Sequence, residues 1–259
     1  MNIRALPGLA VLACWCPLAM AQDDGFRKMD GVQGWHEQRA CPAQDDALYV
    51  LVIGQSNSTN YAYHYHAAGS GQASVAFGAD CYTLADPWPG GTGGRGSVWS
   101  LFADLYAAEH DEPLVILSGG VGGSSVQDWL DKDLLARSRP TIAAQRERID
   151  VIVWLQGESD RKTSARDYER QFDRLLAQLR QEGLSAPVMI SQTSRWGSTV
   201  ADGPRKGQAG IARRHSDVCL GPDTDLVLDR YDAVHFSESG AKATAAAFLA
   251  AFRRCGFLD

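Results

Sequence analysis

Four short apolar runs occur at intervals along the chain. They cover residues 48–53, 114–117, 151–155 and 188–190, are rich in Val, Ile and Leu, and do not alternate with polar residues. Continuous runs of this kind are typical of parallel strands that helices cover on both faces. The runs therefore predict the buried strands of one sheet.

Helical periodicity occupies intervals between these runs. Apolar residues recur at helical spacing over 98–106 and over 168–179, with Gly183 as a stop, and an Ala-rich helix is predicted from about residue 239 to residue 254. The alternation of strands and helices predicts a three-layer α/β sheet. Segment 60–96, with many Tyr, Gly and Pro residues, is predicted to be a loop. It either lines a substrate cleft or is a surface excursion pinned by Cys81.

The N-terminal residues predict export. Arg4 precedes an apolar stretch over 9–18, and Ala19-Met20-Ala21 ends it, which is the pattern of a secretory signal cleaved after Ala21. The stretch is too short to span a bilayer. A buried N-terminal helix and lipidation of Cys14 are the alternatives. Residues 22–259 are predicted to form a single domain in a secreted or periplasmic protein, since 259 residues are too few for two comfortable cores.

Four cysteines remain after such a cleavage. They are Cys41, Cys81, Cys219 and Cys255, and an even number in an exported protein predicts two disulfides. Three pairings are possible, of which Cys41–Cys81 with Cys219–Cys255 closes the shorter loops. No Cys/His cluster indicates zinc, so we predict neither a metal nor a cofactor.

The charge of the chain bears on its partners. Formal net charge is −6, and no basic run exceeds two residues. Neither a nucleic acid nor an anionic membrane is therefore expected as a partner.

Polar or Gly-rich turns follow the first three predicted strands and precede the last helix. Ser56 follows the first strand, the Gly-rich segment 119–123 follows the second, and Gln156 and Glu158 follow the third; Asp232 and His235 precede the helix. Ligands of such sheets bind at the carboxyl ends of the strands, so these turns are expected to meet there. A serine, a histidine and an acid are the minimum set for acyl transfer by a serine nucleophile.

Each of these residues also has a plainer interpretation. Ser56 matches the nucleophile motif G-x-S-x-G only in half, because Ser58 stands at the second glycine, and a turn serine that caps a helix is the alternative. The Gly123 N–H and the Gln156 amide are candidate donors to an oxyanion, although the glycines alone also fit a flexible turn. Glu158 is either an alternative acid behind His235 or a solvated or salt-bridged loop carboxylate.

Four segments together resemble a known family. Gly54-Gln55-Ser56-Asn57, Gly122-Gly123-Ser124-Ser125, Gln156-Gly157-Glu158-Ser159-Asp160 and Asp232-Ala233-Val234-His235 resemble the four blocks of the SGNH (GDSL-type) hydrolases. The similarity is greatest to the branch of sialate O-acetylesterases and acetylxylan esterases. It implies an α/β fold, a flavodoxin-like three-layer α/β/α sandwich with a mostly parallel central sheet.

The same resemblance implies roles for single residues. It implies Ser56 as the nucleophile, His235 as the base and Asp232 as its partner, with Glu158 as the possible alternative acid. It also implies oxyanion donors from the backbone of Ser56 and Gly123 and from the side chain of Gln156.

These observations predict an exported serine esterase. It would hydrolyse O-acetyl esters on a carbohydrate such as sialic acid or xylan through an acyl-enzyme, with the acetylated carbohydrate as its partner and no cofactor. Two alternatives are a non-catalytic carbohydrate-binding protein on the same fold and an esterase or thioesterase for lipidic acyl chains. The sequence does not predict the oligomeric state.

Overall fold

One eight-stranded sheet forms the centre of the molecule. The computed structural model describes residues 31–258, and the predicted signal peptide and its cleavage site lie outside the described residues. Across the sheet the strands lie in the order β1-β4-β3-β5-β2-β6-β7-β8. Their bounds are β1 (Gln38–Arg39), β2 (Leu48–Gly54), β3 (Ala73–Phe77), β4 (Asp80–Thr83), β5 (Leu114–Ser118), β6 (Val151–Leu155), β7 (Val188–Gln192) and β8 (Val218–Asp223).

Six neighbouring strands, from β3 to β8 across the sheet, are parallel, whereas β4 pairs antiparallel with β3 and with β1. In the centre, Val50 of β2 is paired with Ile116 of β5 on one side and with Val151 of β6 on the other. Along the chain, the strands on the β5 side of β2 therefore come first, and the strands on the β6 side come afterwards. The carboxyl end of β2 is the topological switch point, where open α/β sheets bind ligands.

Helices cover both faces of the sheet. On one face lie α1 and α6, which contribute Trp99, Phe102, Phe248 and Phe252 to the core. The other four helices pack on the opposite face. This arrangement is the predicted three-layer α/β/α sandwich. The bounds are α1 (Val98–Ala107), α2 (Val126–Asp131), α3 (Arg139–Gln145), α4 (Ala165–Gln181), α5 (Asp202–Arg214) and α6 (Glu238–Arg254).

Strand β2 shows why its sequence has no polar alternation. Leu48, Val50 and Val52 point into the core beneath α1 and α6. Tyr49, Leu51 and Ile53 point into the core on the other face. Burying an apolar side chain contributes about 1.5–3 kcal/mol, so both layers draw on this one strand.

Some elements were not predicted. The four apolar runs correspond to β2, β5, β6 and β7, but segment 60–96 is not wholly loop, since it contains β3 and β4. Strand β8 and the helices α2, α3 and α5 were also missed. Interrupting residues explain two of these: Gly221 and Pro222 lie in β8, and Pro204 lies in the first turn of α5.

Both predicted disulfides are present. Cys41 is bonded to Cys81 and Cys219 to Cys255, at sequence separations of 40 and 36 residues. Closed loops of this size contribute roughly 2–4 kcal/mol to stability. The second disulfide joins β8 to the residue after α6. Within residues 31–258, no helix has the length and apolar character needed to cross a membrane.

Candidate active site

Ser56 lies directly after β2, at the switch point of the sheet. It begins a single 3-10 turn, Ser56–Ser58, and is almost fully buried. Gly54 makes this turn possible: its φ is +137°, and a Cβ there would lie 2.1 Å from the Leu155 carbonyl oxygen. A side chain at this position would push β2 away from β6, so the turn requires glycine.

The Gln55 side chain ties the Ser56 turn to the end of β6. Its Oε1 accepts hydrogen bonds from the backbone N–H of Ser159 at 3.0 Å and of Gly157 at 3.3 Å. The Gln156 amide donates to the same oxygen at 3.2 Å. The first and third sequence segments are thus one connected structure, as their position at strand ends predicts.

Asp232 and His235 form a pair within one short turn. Asp232 Oδ2 lies 2.8 Å from His235 Nδ1. Asp232 Oδ1 accepts hydrogen bonds from the backbone N–H groups of Val234 and His235, at 2.7 Å each. Burial acts to raise the pKa of Asp232, but these hydrogen bonds outweigh it and lower the pKa below its ordinary value. An ionised Asp232 holds the proton of His235 on Nδ1 and leaves Nε2 as the basic atom.

Two tyrosine rings flank the His235 imidazole. Tyr61 stacks on it with centroids 5.1 Å apart, and Tyr231 does so at 5.9 Å. The Tyr231 hydroxyl donates to the main-chain carbonyl of Tyr61 at 3.1 Å, which holds the Tyr231 side chain beside the Tyr61 segment. The imidazole is therefore oriented by its neighbours as well as by Asp232.

Two further contacts bring the Ser56 turn and the His235 loop together. Asn57 Nδ2 donates to the Val234 carbonyl at 3.2 Å, and the Tyr63 N–H donates to the Phe236 carbonyl at 3.0 Å. Within the described chain, His235 is hydrogen-bonded to Asp232 through Nδ1, and no hydrogen bond joins its Nε2 to Ser56 Oγ. Catalytic hydrogen bonds often tighten only when substrate binds, so the absence of this bond is compatible with a nucleophile and its base.

Two of the expected oxyanion donors are backbone N–H groups, those of Ser56 and Gly123. Gly122 and Ser124 donate their N–H groups to Thr92 Oγ1 and to the Val121 carbonyl. In the part of the chain that the structure describes, the N–H groups of Ser56 and Gly123 have no acceptor. Gly123 has a φ of +71° and is exposed, so its N–H is accessible to a ligand.

Gln156, the third expected oxyanion donor, lies deeper than the other two. It is fully buried, and its Nε2 donates to Asp160 Oδ2 at 2.6 Å, to the Ser124 carbonyl at 3.1 Å and to Gln55. Donation to an oxyanion would require it to exchange one of these acceptors. Its role as a donor therefore stays a prediction.

Glu158 does not contact His235. It is fully buried, and its Oε1 accepts from Asn57 Nδ2 at 2.6 Å. The interpretation as a solvated loop carboxylate is therefore wrong. Whether Asp232 or Glu158 is the acid that orients His235 stays a prediction. Of the two, Asp232 is the one that contacts His235 in the structure.

An exposed tryptophan lies on the loop after β7, next to the His235 loop. Trp196 is 44% exposed, and the neighbouring Gly197 N–H donates to the Ala233 carbonyl at 2.6 Å. Arg161 is the residue after the turn that begins at Glu158. Its guanidinium lies 4.3 Å from the centroid of the Trp196 ring. We call Trp196 and Arg161 the rim shelf.

Sequence reasoning missed the residues that join the segments. Gln55 and Asn57 flank Ser56, yet their partners lie more than 100 residues away in sequence. Tyr61 and Trp196 carried no motif at all. The only signal for the first two was their place inside the Gly54-Gln55-Ser56-Asn57 segment.

The amino-acid sequence also matches the model of a known family. Residues 92–254, more than half of the chain, match the family described as carbohydrate esterase, sialic acid-specific acetylesterase. The chain belongs to this family. Membership makes the protein a carboxylic ester hydrolase that acts on acetylated carbohydrates, and it confirms the resemblance seen in the sequence. The match contains Gly123, Gln156, Asp232 and His235, whereas Ser56 lies before it.

Solved structures support the fold of this carbohydrate esterase. A protein of Arabidopsis thaliana is similar with a TM-score of 0.64 and 18% identity over 80% of this chain and 99% of its own. A carbohydrate acetylesterase from Xanthomonas citri gives 0.54 and 17%, over 81% of this chain and 56% of its own. A catalytic mutant of an acetylxylan esterase from Geobacillus stearothermophilus gives 0.52 and 18%, over 82% and 95%. No curated protein sequence matches this carbohydrate esterase.

Proposed function

We propose that the protein is an exported serine esterase that removes acetyl groups from a carbohydrate through an acyl-enzyme. Ser56 is the nucleophile, His235 the base and Asp232 the acid that orients it. The observation that carries this proposal is the Asp232–His235 pair. Its 2.8 Å contact occupies Nδ1 and leaves Nε2 free, on a loop hydrogen-bonded to the residue after Ser56.

The reaction proceeds in two balanced halves. Ser56 Oγ attacks the acetyl carbonyl carbon while its proton passes to His235 Nε2. The oxyanion that forms accepts hydrogen bonds from the backbone N–H groups of Ser56 and Gly123. The C–O bond to the sugar then breaks, and His235 returns the proton to the departing sugar oxygen. Water attacks the acetyl-enzyme carbonyl and gives one proton to His235, which passes it to Ser56 Oγ as the acyl C–O bond breaks. The product leaves as acetic acid, which ionises to acetate in water.

A chain-length series tests the proposed acyl group. Purified protein should hydrolyse p-nitrophenyl acetate faster than the longer esters, with Ser56→Ala as the blank. Acetate release from O-acetylated sialic acid, acetylxylan and O-acetylated peptidoglycan then identifies the glycan. A preference for long acyl chains would favour the lipidic alternative, and failure to release acetate from any glycan would contradict a carbohydrate substrate.

The chemistry of the rim shelf favours a sugar substrate that carries a negative charge. An exposed indole ring suits the apolar face of a pyranose, and the Arg161 guanidinium beside it suits a carboxylate. Among the candidate substrates, O-acetylated sialic acid carries a carboxylate and unsubstituted acetylxylan does not. The shelf therefore favours the acidic sugar.

Trp196→Ala should separate glycan binding from chemistry. We expect KM for the O-acetylated glycan to rise about tenfold, which corresponds to about 1.4 kcal/mol of lost contact. Kinetics on p-nitrophenyl acetate should change little, because that ester has no sugar to stack. Trp35, which is 53% exposed and packs beside His36, provides the matched control Trp35→Ala. If Trp196→Ala had equal effects on both substrates, the rim shelf would not be part of the glycan-binding site.

Export is supported by the two disulfides, since such bonds form and persist in oxidising compartments. N-terminal sequencing of protein recovered outside the cytoplasm tests it. A first residue of Gln22 agrees with the proposed cleavage, whereas recovery of the full chain from the cytoplasm opposes export.

A further inference from the structure

Two oxygen atoms beside Ser56 lie buried without a partner. Asn57 uses both hydrogens of its amide, one on Glu158 Oε1 at 2.6 Å and one on the Val234 carbonyl at 3.2 Å. Among the described residues, Asn57 Oδ1 and Glu158 Oε2 have no hydrogen-bond partner. A buried acceptor without a donor is destabilising, because it has lost its hydrogen bonds to water and gained none in return. Both orphan atoms belong to the same contacting pair of side chains.

The surroundings of Glu158 disfavour its negative charge. Full burial raises the pKa of the carboxyl, and the hydrogen bonds from the Asn57 amide and from the Glu158 backbone N–H only partly oppose this. Arg230 attracts the carboxylate and Asp225 repels it. The hydrogen bonds that Arg230 makes among the described residues go to the carbonyl oxygens of Thr224, Val227 and Val234, and none goes to the Glu158 carboxyl. Burial raises the pKa of the Tyr168 phenol, so this neighbouring group is neutral and adds no charge beside Glu158.

We propose that Glu158 is a protonated positioning residue that forms a cyclic acid–amide pair with Asn57. The Glu158 Oε2–H group donates to Asn57 Oδ1, while Asn57 Nδ2–H donates to Glu158 Oε1. One proton thereby satisfies both orphan oxygens. This is a different role from that of a triad acid, which must be ionised and must contact the histidine.

The pair acts on the reaction through Asn57. Its amide joins Glu158, at the end of β6, to Val234, the residue before His235, and Asn57 itself follows Ser56. The effect on catalysis rests on the proposed function, in which Ser56 and His235 react. A misplacement of about 1 Å between reacting groups costs on the order of 10²-fold in rate. The acid–amide pair holds these two segments in register.

Infrared spectroscopy tests the protonation without using activity. With ¹³C-labelled glutamate, the difference spectrum between the native protein and Glu158→Gln at pH 7 should contain the C=O band of a protonated carboxyl. Glu147→Gln is the matched control, because the Glu147 side chain is 90% exposed and should contribute only a carboxylate band. A carboxylate band for Glu158 would overturn the proposal, whatever Ser56→Ala shows.

Kinetics test the positioning. Glu158→Ala should lower kcat on the order of 10²-fold with little change in KM. Glu158→Gln should be at least about tenfold more active than Glu158→Ala, because an amide also accepts from Asn57 and donates to it. An inactive Glu158→Gln that keeps the native thermal melting would overturn the proposal, and so would a fully active Glu158→Ala. If Ser56→Ala were active while the protonated band remained, the proposed function alone would fail.

Discussion

Ser56→Ala and His235→Ala should each lower kcat by on the order of 10⁴-fold or more and leave the fold intact. The two side chains act as one unit, so the double variant should lose little beyond either single variant. Steady-state hydrolysis of p-nitrophenyl acetate measures the loss. Residual turnover above the buffer rate is expected, because the Ser56 and Gly123 N–H groups still polarise the carbonyl.

Two controls make this result specific. Ser70→Ala removes an exposed serine whose hydroxyl accepts a hydrogen bond from the Gln72 N–H and, among residues 31–258, from no other group, so this variant should behave as the native protein. Circular dichroism and thermal melting check the fold of each variant. Native activity in Ser56→Ala would point to another nucleophile or to a metal-activated water, and treatment with a chelator would then distinguish these.

Asp232→Asn should lower kcat on the order of 10³-fold with KM little changed. The neutral amide no longer stabilises the imidazolium that forms during the reaction, and it also permits the wrong tautomer of His235. The measurement is the pH profile of kcat and of kcat/KM on p-nitrophenyl acetate. The lowered pKa of Asp232 means that the carboxylate supports His235 above that pKa and is lost only as the pH falls through it.

Asp229→Asn is the matched control for this variant. Asp229 lies on the same loop, but its carboxylate accepts from Ser239 and not from His235. It should keep activity near the native value. A larger loss in Glu158→Gln than in Asp232→Asn would assign the triad acid to Glu158 and reduce Asp232 to shaping the loop. Equal losses would require the double variant to separate coupled from independent effects.

The central strands were predictable because burial on both faces gives an uninterrupted apolar run. Strand β2 has such a run, and its neighbours β5 and β6 do as well. Strand β8 was not predictable in this way, since Gly221 and Pro222 interrupt it and its pairing with β7 is irregular. In β3 and β4 the short strands are formed by pairing with partners that the local sequence does not specify.

The site divides in a similar way. Residues at strand ends, such as Ser56 and Glu158, were predictable because topology alone brings them to one edge. Contacts such as that of Asn57 with Glu158 depend on side chains 101 residues apart, for which sequence spacing gives no rule. The burial of Gln156 was missed for the same reason. Its three acceptors come from separate turns that only the folded chain assembles.

The contact between Asn57 and the Val234 carbonyl spans 177 residues of sequence. Contacts of such high sequence separation form only after a large loss of chain entropy, so they are slow to appear during folding. The proposed nucleophile, Ser56, follows the first parallel strand, and the proposed base, His235, lies in the turn before α6. If these roles hold, hydrolytic activity arises only when the segment that carries His235 docks on the sheet, and a nascent polypeptide that has not yet reached His235 is inactive.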